Sequence, residues 1–241
     1  MIAVRNWITA DLPTDYSRAA QLARVAENRW KFVPSITITG FTATGKTAIV
    51  TELKRRYGEH ICPKMEFVSV GELMAEFLRG GKSSSAHDKE ELLSVLGQGE
   101  VITDLGNPDD YVDRFVQNLD PRPHYVIDGR IPHALCGRHF HVLLTCEYEV
   151  RAERRMRDQR QNPARKDKKT ILAEIKRRDQ VDIDRLSKRR PGSIWQEPDF
   201  DFVCRTDKYS ICDSVDLIVS DFISWLDYLR SISQLEELPA A

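Results

Sequence analysis

Two rhythms of apolar and polar positions run along this chain. Short β-branched or apolar runs read as buried strands: Ser35-Ile36-Thr37-Ile38-Thr39, Glu66-Phe67-Val68-Ser69-Val70, His124-Tyr125-Val126-Ile127, residues 139–146 and residues 200–204. Helical spacing fills the stretches between them. Residues 48–57 form a helix whose natural stop is Gly58, and 71–78 start another. Helices are also expected over 88–96 and over 107–119, the latter with Asn107 as cap and Pro108 at the first helical position. Residues 147–157 and 170–189 are basic helices. Ser210-x-x-Asp213 then opens a final helix in the manner of a capping box, with Val215, Ile218, Val219, Phe222, Ile223 and Leu226 as its buried stripe. Strands alternate with helices along the chain, the order of an α/β domain. Residues 71–119 stand out as a helical insertion between strands.

The flanks are simpler. Residues 1–34 precede the first core strand and are expected to supply one accessory helix over 15–30, capped by Thr14, with Ala19, Leu22 and Val25 on one face. Residues 80–86, Gly-Gly-Lys-Ser-Ser-Ser-Ala, form the most flexible-looking stretch, and 161–169 break a helix at Asn162-Pro163. The core domain spans 35–233, and 234–241 read as a frayed tail.

One contiguous motif changes the picture from fold to chemistry. Gly40-Phe41-Thr42-Ala43-Thr44-Gly45-Lys46-Thr47 follows the first strand and opens the first helix, the context that the GxxxxGK[ST] phosphate loop requires. Gly40 and Gly45 are expected to adopt backbone angles that a Cβ forbids, so that loop N–H groups can cradle phosphate oxygens. The following helix aims its positive end at the anion. Lys46 reaches the β and γ phosphates of a nucleotide such as ATP, and the Thr47 hydroxyl is a ligand for Mg2+. The bland alternative is a glycine-rich turn with a chance lysine. A second carboxylate ligand belongs at the carboxyl end of a core strand, where Asp128-Gly129-Arg130 ends the third strand. A strand-ending Asp-Gly is also an ordinary turn signal.

Composition narrows the class. The net charge of −1 over 241 residues hides a block from 151 to 190 with 16 Lys and Arg against 7 Asp and Glu. Such a block suits a phosphate-rich partner, although parts of it can be a solvated helix face. That partner is either a small-molecule nucleotide or a nucleic acid; the block lacks the interleaved aromatics on which a single-strand nucleic-acid binder stacks bases, which counts against the second. The five cysteines, Cys62, Cys136, Cys146, Cys204 and Cys212, have no CxxC spacing and fit a reducing, cytoplasmic setting. No apolar run reaches membrane-span length, and residues 1–11 carry no secretory signal pattern. The strand histidines His139 and His141 lack metal-ligand spacing.

Two arginine patterns complete the set. Arg151, Arg154 and Arg155 fall at i, i+3 and i+4 and share one helix face, a repulsive arrangement that a polyphosphate would relieve. Arg178, Asp182 and Arg185 share a face of the next helix, where an intrahelical ion-pair ladder is the plain alternative.

From residue 35 to about 221 the chain resembles cytidylate kinases and, more broadly, nucleoside monophosphate kinases of the P-loop class. The matches are the phosphate loop, Phe67-Val68-Ser69-Val70-Gly71-Glu72-Leu73, Asp128-Gly129-Arg130, Arg151-Ala152-Glu153-Arg154-Arg155-Met156, and Arg178…Asp182…Arg185. The resemblance implies a three-layer fold with five parallel strands, a monophosphate-binding insertion at 71–119 and a short lid at 151–170. It implies acceptor contacts from Ser69 and Arg130, ribose contacts from Arg178 and Asp182, and an acceptor-phosphate contact from Arg185. Arg151, Arg154 and Arg155 would close over the donor. Two positions depart from the family pattern: Ala75, where members often carry an arginine for the acceptor phosphate, with Arg79 or Lys82 as substitutes, and Ile131, where many bacterial members carry an acid for the cytosine amino group. Other acceptors, and a nucleotide-binding regulator without turnover, are the competing functions.

Overall fold

The computed structural model describes residues 35–58, 65–79, 107–119, 124–130, 132, 139–158, 166–189 and 197–236. The expectations for 1–34, 80–106, Ile131 and 237–241, Lys82 among them, lie outside the described residues.

Five strands form one parallel sheet: β1 (Ile36–Gly40), β2 (Met65–Ser69), β3 (His124–Gly129), β4 (Phe140–Thr145) and β5 (Phe202–Arg205), in the order β2-β3-β1-β4-β5. The central strand β1 is buried at every residue, as a strand covered on both faces must be. Helices α1 (Lys46–Leu53), α2 (Val70–Leu78), α3 (Pro108–Gln117), α4 (Tyr148–Asp158), α5 (Lys168–Arg189) and α6 (Ile211–Glu236) connect and cover the strands. The α/β class and the five-stranded parallel sheet match the expectation.

The main core lies between β1, β4, α1 and α6, where Ile36, Ile38, Ile49, Leu53, Val142, Leu144 and Phe222 pack together. All six stripe positions of α6 are buried. Phe140, Phe222 and Trp225 stack with centroids 5.6–5.9 Å apart, a geometry aromatic pairs favour. A second core joins β3 to α2 and α3 through Tyr125, Ile127, Val70, Met74, Val112 and Val116. A small third core of Ala152, Ile171 and Ile175 pins α4 to α5.

Several local expectations are corrected. The first helix reaches its stop at Gly58 through a π-helical turn, Lys54–Gly58. The basic helix begins at Lys168, because Asp167 caps it by accepting from the Thr170 N–H at 2.7 Å, so the last residues of the expected 161–169 break are helical. Ser210 Oγ accepts from Asp213 N at 3.1 Å, yet the Asp213 carboxylate meets the Ser210 hydroxyl at 2.7 Å; this is half of a reciprocal capping box. Helix α6 runs on to Glu236, into the expected tail.

Candidate active site

The phosphate loop is held open by cations on its carbonyls. Lys46 Nζ donates to Gly40 O at 2.5 Å and Phe41 O at 3.0 Å. Arg130 donates from Nη1 to Gly40 O and from Nη2 to Thr42 Oγ1, each at 2.7 Å. Arg151 Nε donates to Thr42 O at 2.7 Å. Two residues give the loop its turn: Gly45 at φ 96° and Ala43 at φ 59°. The expectation of special backbone angles therefore holds for Gly45 but not for Gly40. Gly40 is required by close approach, since a Cβ there would lie 2.9 Å from Leu144 O and 2.8 Å from Thr44 Oγ1. Ala43 pays the left-handed strain that its sequence gave no sign of.

Strand register sets the rest of the site. Ser69 pairs with Asp128 across β2 and β3, and Asp128 pairs with Ile38 of β1, two residues before Gly40. These carboxyl ends form one edge, where open α/β sheets bind ligands. A cavity of about 820 Å³ opens there. It is lined by loop residues from Phe41 to Thr47 other than Thr44, by Ser69, Asp128 and Arg130, by Arg154 and Arg155, and by Arg178, Asp182 and Arg185. That volume suits a small-molecule site.

On the far wall, α5 does not carry an exposed ladder. Asp182 and Arg185 are 4% and 9% exposed; one pair, Asp182 with Arg185, stays within the helix, and the others cross to neighbouring elements. Asp182 meets Arg130 at 3.0 Å and Arg185 at 3.2 Å. Arg185 also pairs with Asp109 at the start of α3. Further along, Arg189 reaches Asp110 at 2.6 Å and Asp113 at 3.1 Å, so three ion pairs tie α5 to α3.

The three arginines of α4 that share one face in the sequence part company. Arg151 points inward: it is 2% exposed, meets Asp179 at 2.7 Å and packs on the rings of Tyr148 and Phe41. It does not line the cavity, whereas Arg154 and Arg155 do. Arg154 donates to the Thr206 hydroxyl at 3.1 Å and to its carbonyl. Thr206 in turn donates to Thr44 O at 2.7 Å, locking the turn after β5 to the phosphate loop. Asp109, Asp179 and Thr206 are the site-building residues that the sequence reading missed.

Electrostatics separate the two walls. Burial pushes the Lys46 ammonium well below its ordinary pKa; Arg130 adds to this, and Asp128 and Asp182 only partly oppose it. Arg130 is likewise lowered, first by burial, against the pull of Asp182. Arg185 goes the other way: burial disfavours its charge, but Asp109 and Asp182 outweigh that and raise its pKa. Burial therefore dominates at Lys46 and Arg130 beside the phosphate loop, whereas carboxylates dominate at Arg185 on the far wall.

Among the described residues no three His, Cys, Asp or Glu side chains cluster to hold a metal. Thr47 and Asp128 nonetheless line one cavity and offer the hard oxygen donors that magnesium takes while keeping water and phosphate as its other ligands. The residues present fit that ion.

The comparisons agree with this architecture. The family model described as cytidylate kinase matches residues 109–222, which bears out the resemblance. No curated protein matches the chain by sequence. Among solved structures, an uncharacterized protein from Eubacterium ventriosum ATCC 27560 is 14% identical, with 79% of this chain and 98% of that chain covered and a TM-score of 0.54; it shares the fold. A shikimate kinase from Acinetobacter baumannii in complex with shikimate is 14% identical (84% and 97% covered, TM-score 0.49). A gluconokinase from Sinorhizobium meliloti 1021 is also 14% identical (87% and 100% covered, TM-score 0.40). The fold and the family match support phosphoryl transfer by a P-loop kinase. No helix among the described residues is long and apolar enough to cross a membrane.

Proposed function

We propose that this protein moves the γ-phosphate of ATP, with Mg2+, onto a nucleoside monophosphate, with CMP and dCMP first among the candidates, in a cytoplasmic setting. One observation carries the proposal: the cavity that holds Lys46 and Thr47 on one wall holds Arg178, Asp182 and Arg185 on the other. In-line phosphoryl transfer asks for alignment and charge neutralisation more than for a base. Lys46, Arg154 and Arg155 supply positive charge toward the donor phosphates. Arg130, between Gly40 and Asp182, stands where the transferring group would pass from one wall to the other. Magnesium, held by Thr47 and Asp128, would neutralise donor phosphate charge. The acceptor phosphate would take Arg185 from Asp109, and its sugar would take Asp182 and Arg178.

The test is a panel of nucleoside monophosphates with ATP and magnesium, scored for ADP release. Stimulation by CMP or dCMP above the other monophosphates is the expected result. Stimulation by none of them would sink the acceptor class. A second possibility, a P-loop kinase with a different small-molecule acceptor, is favoured by one observation: Arg185 already sits between two carboxylates. Ala75 is buried, at 1% exposed, and its methyl group carries no charge to stand in for the arginine common in the family.

A further inference from the structure

The phosphate loop is anchored from outside the cavity by a buried ion pair. Arg151 and Asp179 have side chains only 3% and 2% exposed, and neither lines the cavity. Asp179 accepts from Arg151 Nη2 at 2.8 Å through Oδ1 and lies 2.7 Å from it through Oδ2. With that end fixed, the guanidinium turns its Nε–H onto Thr42 O. The rings of Tyr148 and Phe41 lie 4.8 Å and 5.6 Å from the guanidinium carbon and fix its plane. The Thr42 carbonyl immediately precedes Ala43, which has a left-handed φ of 59° and lines the cavity with Gly45, Lys46 and Thr47. A carbonyl pulled outward leaves the following N–H groups free to face inward, which is what an anion nest needs.

We infer that Asp179 is a positioning residue for the donor site: through Arg151 it fixes the Thr42 carbonyl and so pre-shapes the phosphate loop without touching a ligand. This goes beyond the lid role expected for Arg151, and it rests on the assignment of the loop as the donor-nucleotide site. Pre-shaping pays in affinity, because a loop already in its bound form loses less freedom on binding.

A purely structural ion pair would make the opposite prediction in one respect. Removing one partner of a buried pair destabilises a protein, whereas replacing both with apolar side chains of similar size restores much of the stability. The experiment is calorimetric binding of Mg·ATP to the full chain, with thermal melting in parallel. Asp179→Asn should weaken Mg·ATP binding roughly tenfold, and Asp179→Glu should recover part of the loss. The double variant Arg151→Met, Asp179→Leu should melt close to wild type and still bind Mg·ATP roughly tenfold more weakly. Steady-state kinetics should put the loss in the donor KM, with the acceptor KM moving less than about twofold. A double variant that recovers donor affinity along with stability overturns the inference, as does a loss shared equally by both substrates. Lys46→Ala separates this failure from a deeper one. If Lys46→Ala loses Mg·ATP binding and Asp179→Asn does not, only the positioning role falls. If Lys46→Ala also binds like wild type, the donor site and the inference fall together.

Discussion

The two walls of the cavity are built on opposite plans. The wall proposed for the donor is one contiguous loop, and the cations beside it donate to the loop's own carbonyls. The facing wall is assembled from α3, α5 and the end of β3, and its charges are side chains already matched in pairs. A wall made of backbone needs glycine and a strained residue, and two of the cations on its carbonyls are in turn held by carboxylates, Arg130 by Asp182 and Arg151 by Asp179. A wall made of ion pairs is neutral at rest, so a phosphate entering it must displace a carboxylate. The first wall is poised and the second is exchangeable.

The largest effect should come from breaking the poised wall. Lys46→Ala should lower turnover by about 10²-fold or more with the fold intact, because the ammonium acts on developing phosphate charge and not on packing. Single-turnover assays together with a melting curve check this. A folded variant with near-normal turnover would show that transfer does not depend on Lys46, and the assignment of this loop as the donor site would fall.

Next come the magnesium positions. Thr47→Val and Asp128→Asn should each raise the magnesium concentration needed for half-maximal rate, on the order of tenfold. A titration of rate against magnesium measures it. If neither variant shifts, Asp128 is confined to ending β3.

The exchangeable wall gives a prediction of two signs. Arg185→Ala should lower kcat/KM for the acceptor by roughly tenfold or more, since a charged phosphate contact is worth about 1.5–3 kcal/mol. It should also cost stability, because Asp109 and Asp182 stay buried with a cation removed. Asp109→Asn should do the reverse to the acceptor: its KM should fall several-fold, because a neutral amide competes less well for Arg185 than a carboxylate does. Donor KM should hold in both variants. Kinetics with each substrate varied in turn decide it. A rise in acceptor KM for Asp109→Asn would mean that the Arg185–Asp109 pair shapes the site and is not exchanged.

The same contrast explains what could be read from the sequence. The donor wall was legible because its residues are consecutive and their chemistry is fixed by spacing. Strand–loop–helix order and the six-residue stripe of α6 were legible for the same local reason. The other wall was legible only in its α5 half. Asp109 sits 76 positions before Arg185 and looked like an ordinary acid in a helix's first turn. Asp179 was hidden beside Arg178; its spacing of three from Asp182 was the available signal, placing both carboxylates on the face that meets the two arginines of Thr42. Arg151 was grouped with Arg154 and Arg155 by helical spacing. Packing against Tyr148 and Phe41 is a tertiary fact, and it turned one of the three inward. Gly40 shows a subtler limit: the need for glycine was legible, but whether φ or space imposed it depended on Leu144 of a neighbouring strand.

The smallest effect sharpens the contrast most directly, because it counts protons. Lys46 has a pKa well below the ordinary lysine value, with burial the chief cause. A triphosphate beside it must raise that pKa, since an opposite charge favours the ammonium. Between the lowered free-site value and the raised bound value, donor binding therefore takes up a fraction of a proton. By linkage, donor affinity falls as pH rises through the free-site value. Arg185 is shifted upward from an already high value, so it stays charged at every accessible pH and an acceptor arriving there should take up none. At pH near 8.5 the ligand phosphates are fully ionised, given a second pKa of about 6, and do not confuse the count. Calorimetry in two buffers of different ionisation enthalpy measures the uptake for each ligand. Donor binding should show a buffer-dependent enthalpy, acceptor binding should show none, and Lys46→Arg should abolish the donor signal because a guanidinium does not titrate there. Equal uptake on both walls, or uptake that survives Lys46→Arg, would show that Lys46 is not the group that takes up the proton on donor binding.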